Sequence, residues 1–187
     1  PKVFVMENVS GMMKGKMKLI ARDIFKELQD SGYNVKAKLM NAKYYGVPQS
    51  RQRVIFMGTR LDLGHPPTFP KPTLTLEHAD QAILGANIDL VPTCGQKIDG
   101  LMPGCPPGMQ LGAHLGVNKY FSWYRCPIGK PTNTLCKTQP QYHPHEDRWM
   151  SIGEHKRLQS FPDDYKLHGS FKHQIARLGN SVPPKMM

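Results

Sequence analysis

The apolar positions in the first third of the chain follow the spacings of a strand and then of a helix. Residues 3–6 form a short apolar run, which predicts a strand buried on both faces. Between residues 15 and 32 the apolar side chains recur at steps of three and four, as in an amphipathic helix: Met17, Ile20, Ile24 and Leu28. Gly32 suits the left-handed backbone position that ends such a helix.

Two further strands are predicted after this helix. Residues 33–39 alternate apolar and polar side chains, the period-two pattern of a strand with one solvated face. Residues 54–57 form a second apolar run. A strand, a helix and two strands within about sixty residues are typical of one part of an open α/β sheet. A complete sheet of this class needs more strands than these.

The composition changes after this segment. Residues 61–150 hold twelve of the 17 prolines and nine of the 17 glycines, too many for long helices. We expect a small, loop-rich, mostly β domain there. Helical sequence resumes at residue 151, where Ser151 and Glu154 have the spacing of a capping box. The predicted division is therefore 1–60, 61–150 and 151–187.

The net charge of the chain indicates which class of partner it binds. The chain carries a formal charge of +11, and within residues 1–60 Lys and Arg outnumber Asp and Glu by 12 to 4. Such a surplus favours a polyanionic partner such as nucleic acid. No stretch approaches the roughly 20 apolar residues of a membrane span, so we expect a soluble, cytoplasmic protein with no membrane partner.

The cysteines indicate neither disulfides nor a metal centre. They are four in number and form no C-x-x-C pair: Cys94, Cys105, Cys126 and Cys136. Cys126, Cys136, His143 and His145 match no standard zinc spacing. Free thiols in a reducing compartment, and no metal, are the interpretation that we adopt.

Four local sequences in a fixed order identify a resemblance. They are Glu7-Asn8-Val9, Gln49 to Arg53 (QSRQR), Arg157 to Pro162 (RLQSFP) and Gly179 to Pro184 (GNSVPP). This order is similar to that of the DNA (cytosine-5)-methyltransferases, whose motifs read E-N-V, Q-x-R-x-R, R-L-Q-x-F-P and G-N-x-V-P-P. Lys130 to Leu135 (KPTNTL) also resembles the family's P-x-x-T-[IL] segment. Residues 61–125 match only by position, as the family's variable target-recognition region would.

The resemblance implies a fold and an activity. The fold would be part of the Rossmann-like sheet of S-adenosylmethionine-dependent methyltransferases, with a target-recognition domain over 61–150. The activity would be transfer of a methyl group from S-adenosylmethionine to carbon 5 of a cytosine flipped out of double-stranded DNA, which leaves S-adenosylhomocysteine. We expect a bacterial modification enzyme of the nucleoid that acts as a monomer on its DNA.

The chemistry assigns roles to particular side chains. Carbon 5 of cytosine accepts a methyl group only after a nucleophile adds at carbon 6 and a proton reaches nitrogen 3. Glu7 lies at the end of an apolar strand, where desolvation would keep a proton available. Arg51 and Arg53 alternate along the chain and would point the same way. A guanidinium can donate to O2 of the ring, and by the resemblance Arg53 is the better candidate.

The resemblance also supplies the remaining site residues. Asn8 and Gln49 would contact or shape the substrate site, with Gln49 forming a turn. Gly179-Asn180 is a turn signal, and Pro183 fits the first turn of a following helix. In the family this segment closes over the methionine part of the cofactor, which would place Asn180, Ser181 and Val182 in the cofactor pocket. The Arg157 to Pro162 segment is interpreted as structural.

The family's nucleophile is a cysteine in a P-C-Q sequence, and no cysteine here has that context. Cys94 lies in Thr-Cys-Gly and Cys105 in Gly-Cys-Pro. The family's glycine-rich cofactor turn is absent as well. We therefore expect a fragment that needs the N-terminal remainder of the enzyme and is inactive alone. Two alternatives remain open, a non-catalytic DNA-binding module or relic and a tRNA cytosine-5 methyltransferase.

Overall fold

A computed structural model describes residues 1–74, 107–109 and 124–187 of the chain. The chain divides into two compact units. The first consists of Pro1–Asn41 and Gln52–Pro72, and the second of Ala42–Arg51 and Thr73–Met187. The domain boundaries expected at residues 60 and 150 stay predictions. Residues 75–106 and 110–123, which include His114 and Trp123 of the expected recognition region, lie outside the described residues.

The first unit is a three-stranded sheet with one helix. Its elements are β1 (Val3–Val9), α1 (Met17–Asp30), β2 (Tyr33–Asn41) and β3 (Gln52–Arg60). The strand order is β1-β3-β2 and both pairs are antiparallel. The predicted α/β class is therefore confirmed. Gly32 follows α1 with a φ of 88°, the left-handed conformation expected at that position.

Burial of β1 on both faces, as expected from its apolar run, is wrong. Phe4 and Met6 pack against the core, whereas Val3 and Val5 on the other face are 50% and 47% exposed. Alternate residues of a strand point to opposite faces, and the core of this unit lies on one face only. The apolar run therefore predicted the strand correctly but did not predict that only one of its faces is buried.

The apolar stripe of α1 is also displaced from the predicted one. Ala21 is buried, and Ile24 and Phe25 pack against a core that contains Met12, Val54 and Phe56. Met17 and Ile20, which were expected in the stripe, are each 47% exposed. The buried face thus begins one turn later than the periodicity alone indicated, because the sheet contacts the central part of the helix.

The second unit has two helices in its described part, α2 (Ile152–Leu158) and α3 (Phe171–Asn180). The segment before α2 has no regular element, and only isolated bridges occur in residues 124–151. A buried cluster of Cys126, Leu135, Met150 and Leu158 joins this segment to α2. The predicted capping box is confirmed, because Ser151 accepts from the Glu154 amide and the Glu154 carboxylate accepts from the Ser151 amide.

The predicted turn at Gly179-Asn180 is wrong, because both residues lie in the last turn of α3. Pro183 precedes a short 3-10 helix, Pro184–Met186. Close packing explains the glycine. A Cβ on Gly179 would lie 2.5 Å from the carbonyl carbon of Cys136 and 2.5 Å from the amide nitrogen of Lys137. Gly179 thus allows α3 to approach another backbone segment rather than allowing the chain to turn.

Buried charges tie α2 to the segment before it. The Arg148 guanidinium donates two 2.9 Å hydrogen bonds to the carboxylate of Glu154, which is fully buried. Burial by itself would raise the pKa of Glu154, but hydrogen bonds from Arg148 and from the Ser151 amide hold that pKa below its ordinary value. The carboxylate therefore stays ionised inside the unit.

His155 in the same helix is held neutral. Its Nε2 accepts from the Gln141 amide at 2.9 Å, and its Nδ1 lies 2.8 Å from the Ser151 carbonyl, to which it donates. Burial lowers the pKa of His155 from 6.5 to about 4. Protonation would place a proton where the Gln141 amide proton already lies, so the fold disfavours the charged ring.

We expect the stability of the purified chain to fall as the pH drops from 6.5 towards 4. In that range an unfolded His155 binds a proton and the folded one does not, which removes about 3 kcal/mol. Denaturant unfolding at several pH values measures the slope. The His155→Gln variant should no longer lose this stability between pH 6.5 and 4. The His168→Gln variant, changed at an exposed position, should lose it as the wild type does. An equal slope in wild type and His155→Gln would contradict the assignment.

Candidate active site

Glu7 and Arg53 lie side by side in the first unit. Glu7 is in β1 opposite Ile55, and Arg53 is in β3 opposite Val9, so the two side chains are diagonal neighbours on one sheet face. Their Oε1 and Nε atoms are 2.6 Å apart. The side chains are 27% and 13% exposed, respectively. The pair is therefore mostly enclosed but remains open to a ligand from one side.

The period of two along β1 separates Glu7 from its neighbour in the motif. Asn8 points to the opposite face of the sheet, and its Oδ1 accepts from the Val9 amide at 2.8 Å. The structure thus brings Glu7 and Arg53 together and does not bring Asn8 to them. Substrate binding by Asn8 stays a prediction.

This pairing has a defined chemical capability. A carboxyl group can give or accept a proton, and the guanidinium beside it offers fixed donors to an oxygen. A ring nitrogen that needs a proton and the exocyclic oxygen on the adjoining carbon, which needs stabilisation of negative charge, match such a pair. In cytosine those atoms are N3 and O2.

Gln49 is buried in the second unit, where its side chain bonds to three residues of two other segments. Its side-chain nitrogen donates to the Leu158 carbonyl at 3.2 Å and to the Gln159 side-chain oxygen. Its side-chain oxygen accepts from the Leu135 amide at 3.0 Å. Gln49 is fully buried, and its expected role in shaping a turn stays a prediction. Its assignment to the substrate site stays a prediction.

Arg51 also belongs to the second unit and is fully buried. Its guanidinium donates to the carbonyl oxygens of Leu135 at 3.1 Å and Gly179 at 2.7 Å. These bonds join residues that are 84 and 128 positions away along the chain. Because the described bonds of Arg51 serve the protein backbone, its expected contact with the substrate stays a prediction, and Arg53 is the stronger candidate.

The three expected cofactor residues follow directly after Gly179. Asn180 is exposed at the end of α3, and Ser181 and Val182 are half-buried. The Ser181 hydroxyl donates to the Leu178 carbonyl at 2.8 Å and accepts from the Gln159 side chain at 3.0 Å. The Ser181 hydroxyl is thus engaged within the protein. The exposed carboxamide of Asn180 suits the polar groups of an amino-acid ligand.

Sequence reasoning missed Gln159. It was interpreted as part of a structural segment, yet its side chain connects Gln49 to Ser181, and so links three of the four motifs. The sequence carried no local signal for this role, because the burial of Gln159 and the partners of its amide are set by distant segments.

Metal binding finds no support in residues 1–74, 107–109 and 124–187, which contain no group of three or more suitable ligands. Cys126 is buried and Cys136 exposed, and both are free thiols. His143 Nδ1 accepts hydrogen bonds from the His145 and Glu146 amides. In the same ranges no helix is long and apolar enough to cross a membrane.

Solved structures with the same fold are methyltransferases. A protein described as a DNA modification methyltransferase from an E. coli prophage matches with a TM-score of 0.70 and 20% identity, over 100% of this chain and 66% of the other. The Dnmt2 methyltransferase of S. pombe matches with a TM-score of 0.67 and 14% identity, over 100% and 62%. The chain thus has part of the S-adenosylmethionine-dependent methyltransferase fold, as the sequence predicted.

Sequence comparison assigns the family. The model of the C-5 cytosine-specific DNA methylases matches residues 1–100 and 112–187, and the chain belongs to that family. It is 32% identical to the type II methyltransferase M.NgoFVII of Neisseria gonorrhoeae, over 99% of this chain and 56% of the relative. It is 31% identical to M.BspRI of Lysinibacillus sphaericus, over 98% and 48%. The chain spans about half the length of these relatives.

Proposed function

We propose that this chain is part of an enzyme that methylates carbon 5 of cytosine in DNA after flipping the base out of the duplex. The observation that carries the proposal is the 2.6 Å pairing of Glu7 with Arg53 on one sheet face. Membership of the C-5 cytosine-specific DNA methylase family supports it. A flipped base is required because stacking covers the ring face on which a nucleophile adds at carbon 6, and because base pairing occupies N3 within the duplex.

The two side chains divide the activation of the ring between them. Glu7 in its acid form donates a proton to N3, which makes carbon 6 susceptible to a nucleophile. Arg53 donates to O2 and stabilises the negative charge that develops on the ring. The Glu7–Arg53 ion pair must open to admit the base. Glu7 then takes up a proton from solvent before it donates to N3, and each group bonds to its own atom of the base. The partial exposure of both side chains supports such access.

The nucleophile must come from elsewhere in the enzyme. Cys126 follows Arg125 and Cys136 follows Leu135, so neither has the P-C-Q context. We propose that the half carrying P-C-Q completes the enzyme and covers the outer face of β1. The exposed Val3, Val5 and Val9 on that face support an apolar contact there.

The cofactor proposed is S-adenosylmethionine, which supplies the methyl group when bound. Asn180, Ser181 and Val182 would hold its methionine part, with the exposed Asn180 carboxamide as the polar contact. The main-chain groups of Val182 would complete the contact, since both the hydroxyl and the main-chain groups of Ser181 are bonded within the protein.

The DNA contacts would be divided between two parts of the chain. Residues 61–150 would choose the target sequence through base edges, and the basic surplus within residues 1–60 would bind phosphates. The relatives with type II methyltransferase names are bacterial, which supports a modification enzyme that acts on chromosomal DNA. That the enzyme acts as a monomer is part of the same proposal.

A complementation assay tests the proposal. The purified chain is mixed with, or fused to, a P-C-Q-bearing half and supplied with methyl-labelled S-adenosylmethionine and unmethylated phage DNA. We expect no incorporation by the chain alone and incorporation at cytosine C5 by the completed enzyme. Incorporation by the chain alone would contradict the missing-nucleophile argument. Labelling of tRNA but not DNA would instead favour a tRNA cytosine-5 methyltransferase. DNA binding without labelling would favour a non-catalytic DNA-binding module.

A further inference from the structure

Gln159 is a buried side chain with no role in the chemistry described so far. It follows α2 directly and is fully buried. Its nitrogen donates to the Ser181 carbonyl oxygen at 2.9 Å and to the Ser181 hydroxyl at 3.0 Å. Its oxygen accepts from the Gln49 side chain. One side chain therefore joins the segment before β3 to the segment after α3.

Both ends of the Gln159 amide are required for this connection. A primary amide has two N–H donors, and two oxygens of Ser181 accept hydrogen bonds from the Gln159 nitrogen. The side-chain oxygen of Gln159 accepts a hydrogen bond from Gln49. A carboxylate at this position could not donate and would face the Ser181 carbonyl oxygen. An alkyl chain could neither donate nor accept, and would leave buried polar atoms without these bonds.

The segment that Gln159 holds is the one proposed to face the cofactor. Arg51 fixes the preceding Gly179 through its carbonyl, and Gln159 fixes Ser181. Asn180 lies between these two anchored residues and is exposed. The described bonds of this segment thus restrain its backbone on either side of Asn180 and leave the Asn180 side chain at the surface.

We propose that Gln159 is a positioning residue that sets the backbone of Asn180 to Val182 for the methionine part of S-adenosylmethionine. The inference rests on the proposed function, because it depends on this segment facing the cofactor. Gln159 does not touch the reacting atoms. Its loss should therefore weaken cofactor binding more than it slows the methyl transfer.

The test uses the completed enzyme, with the dissociation constant for S-adenosylmethionine measured by equilibrium titration, and with KM and kcat measured separately for S-adenosylmethionine and DNA. We expect Gln159→Glu to raise the KM for S-adenosylmethionine about tenfold or more, with kcat and the KM for DNA changed less than threefold. Ser181→Ala removes one of the two acceptors and should raise the same KM by a smaller factor. Gln29→Glu, at an exposed position in α1, is the control for an added charge and should leave all constants near wild type.

A folded Gln159→Glu variant with an unchanged KM for S-adenosylmethionine, or with a loss confined to kcat, would overturn the inference. If Gln159→Glu does not fold, Ser181→Ala is the test of the inference. An unchanged KM for S-adenosylmethionine in Ser181→Ala would overturn it. Failure of the proposed function is distinct, since the wild-type enzyme itself would then transfer no methyl group to DNA.

Discussion

Replacing Glu7 with glutamine in the completed enzyme is expected to lower kcat by about 10² to 10⁴, the usual contribution of a positioned general acid. Glutamine keeps the size of the side chain and can still accept from Arg53, but it cannot deliver a proton to N3. The dissociation constant for DNA should stay within about threefold of wild type, since phosphate contacts supply most of that affinity.

Single-turnover methyl transfer and a DNA-binding titration, measured on the same Glu7→Gln preparation, separate these two effects. Glu27→Gln is the matched control, because Glu27 is exposed on α1 away from the sheet face of Arg53. The Glu7–Arg53 pair is partly exposed, so its loss should change the free energy of unfolding by only about 1 kcal/mol. A Glu7→Gln enzyme with wild-type turnover would remove Glu7 from the mechanism.

Replacing Gly179 with alanine is expected to have the largest effect on stability. The added Cβ would lie 2.5 Å from two main-chain atoms, the carbonyl carbon of Cys136 and the amide nitrogen of Lys137. Both belong to backbone, so the contact is relieved only if α3 or the opposing segment moves. That movement would also disturb the 2.7 Å bond from Arg51 to the Gly179 carbonyl. We expect a loss of about 3 kcal/mol or more.

Denaturant unfolding of the purified chain measures this loss, and Gly11→Ala is its control. Gly11 lies in the 3-10 helix Ser10–Met13, and an added Cβ there meets no atom within 4 Å. The control should therefore unfold within about 0.5 kcal/mol of wild type. Equal unfolding midpoints for the two variants would show that α3 can shift at little cost, which would contradict the packing argument.

Local patterns were sufficient for the strands and helices of the first unit and for the capping box of α2. The strand periods, the helix that ends at Gly32 and the Ser151–Glu154 capping box depend on residues within a few positions of one another. The order of the four motifs is a property of the sequence alone, and the family comparison confirms the protein family that this order indicated. The sequence could not supply the surroundings of those elements, because burial depends on distant segments.

Three misjudged features share this cause. The exposed outer face of β1 and the displaced stripe on α1 follow from where the sheet core lies. Gly179 was interpreted as a turn, although its reason is the Cys136–Lys137 backbone more than forty residues earlier in the chain. A glycine in a sequence looks the same whether it serves a positive φ or a close approach, and only the tertiary structure distinguishes the two.

The sequence by itself determined the family and the α/β class, and its resemblance to that family named Glu7, Arg51 and Arg53 as the side chains expected to act on the base. The tertiary structure decided that Arg53 pairs with Glu7, that Arg51 bonds to backbone in the second unit, and that Gln159 anchors Ser181. The physical reason is the distance along the sequence between the residues that interact. Periodicity and capping act between near neighbours, whereas the buried side chains of Gln49 and Arg51 bond to partners 109 and 128 residues away.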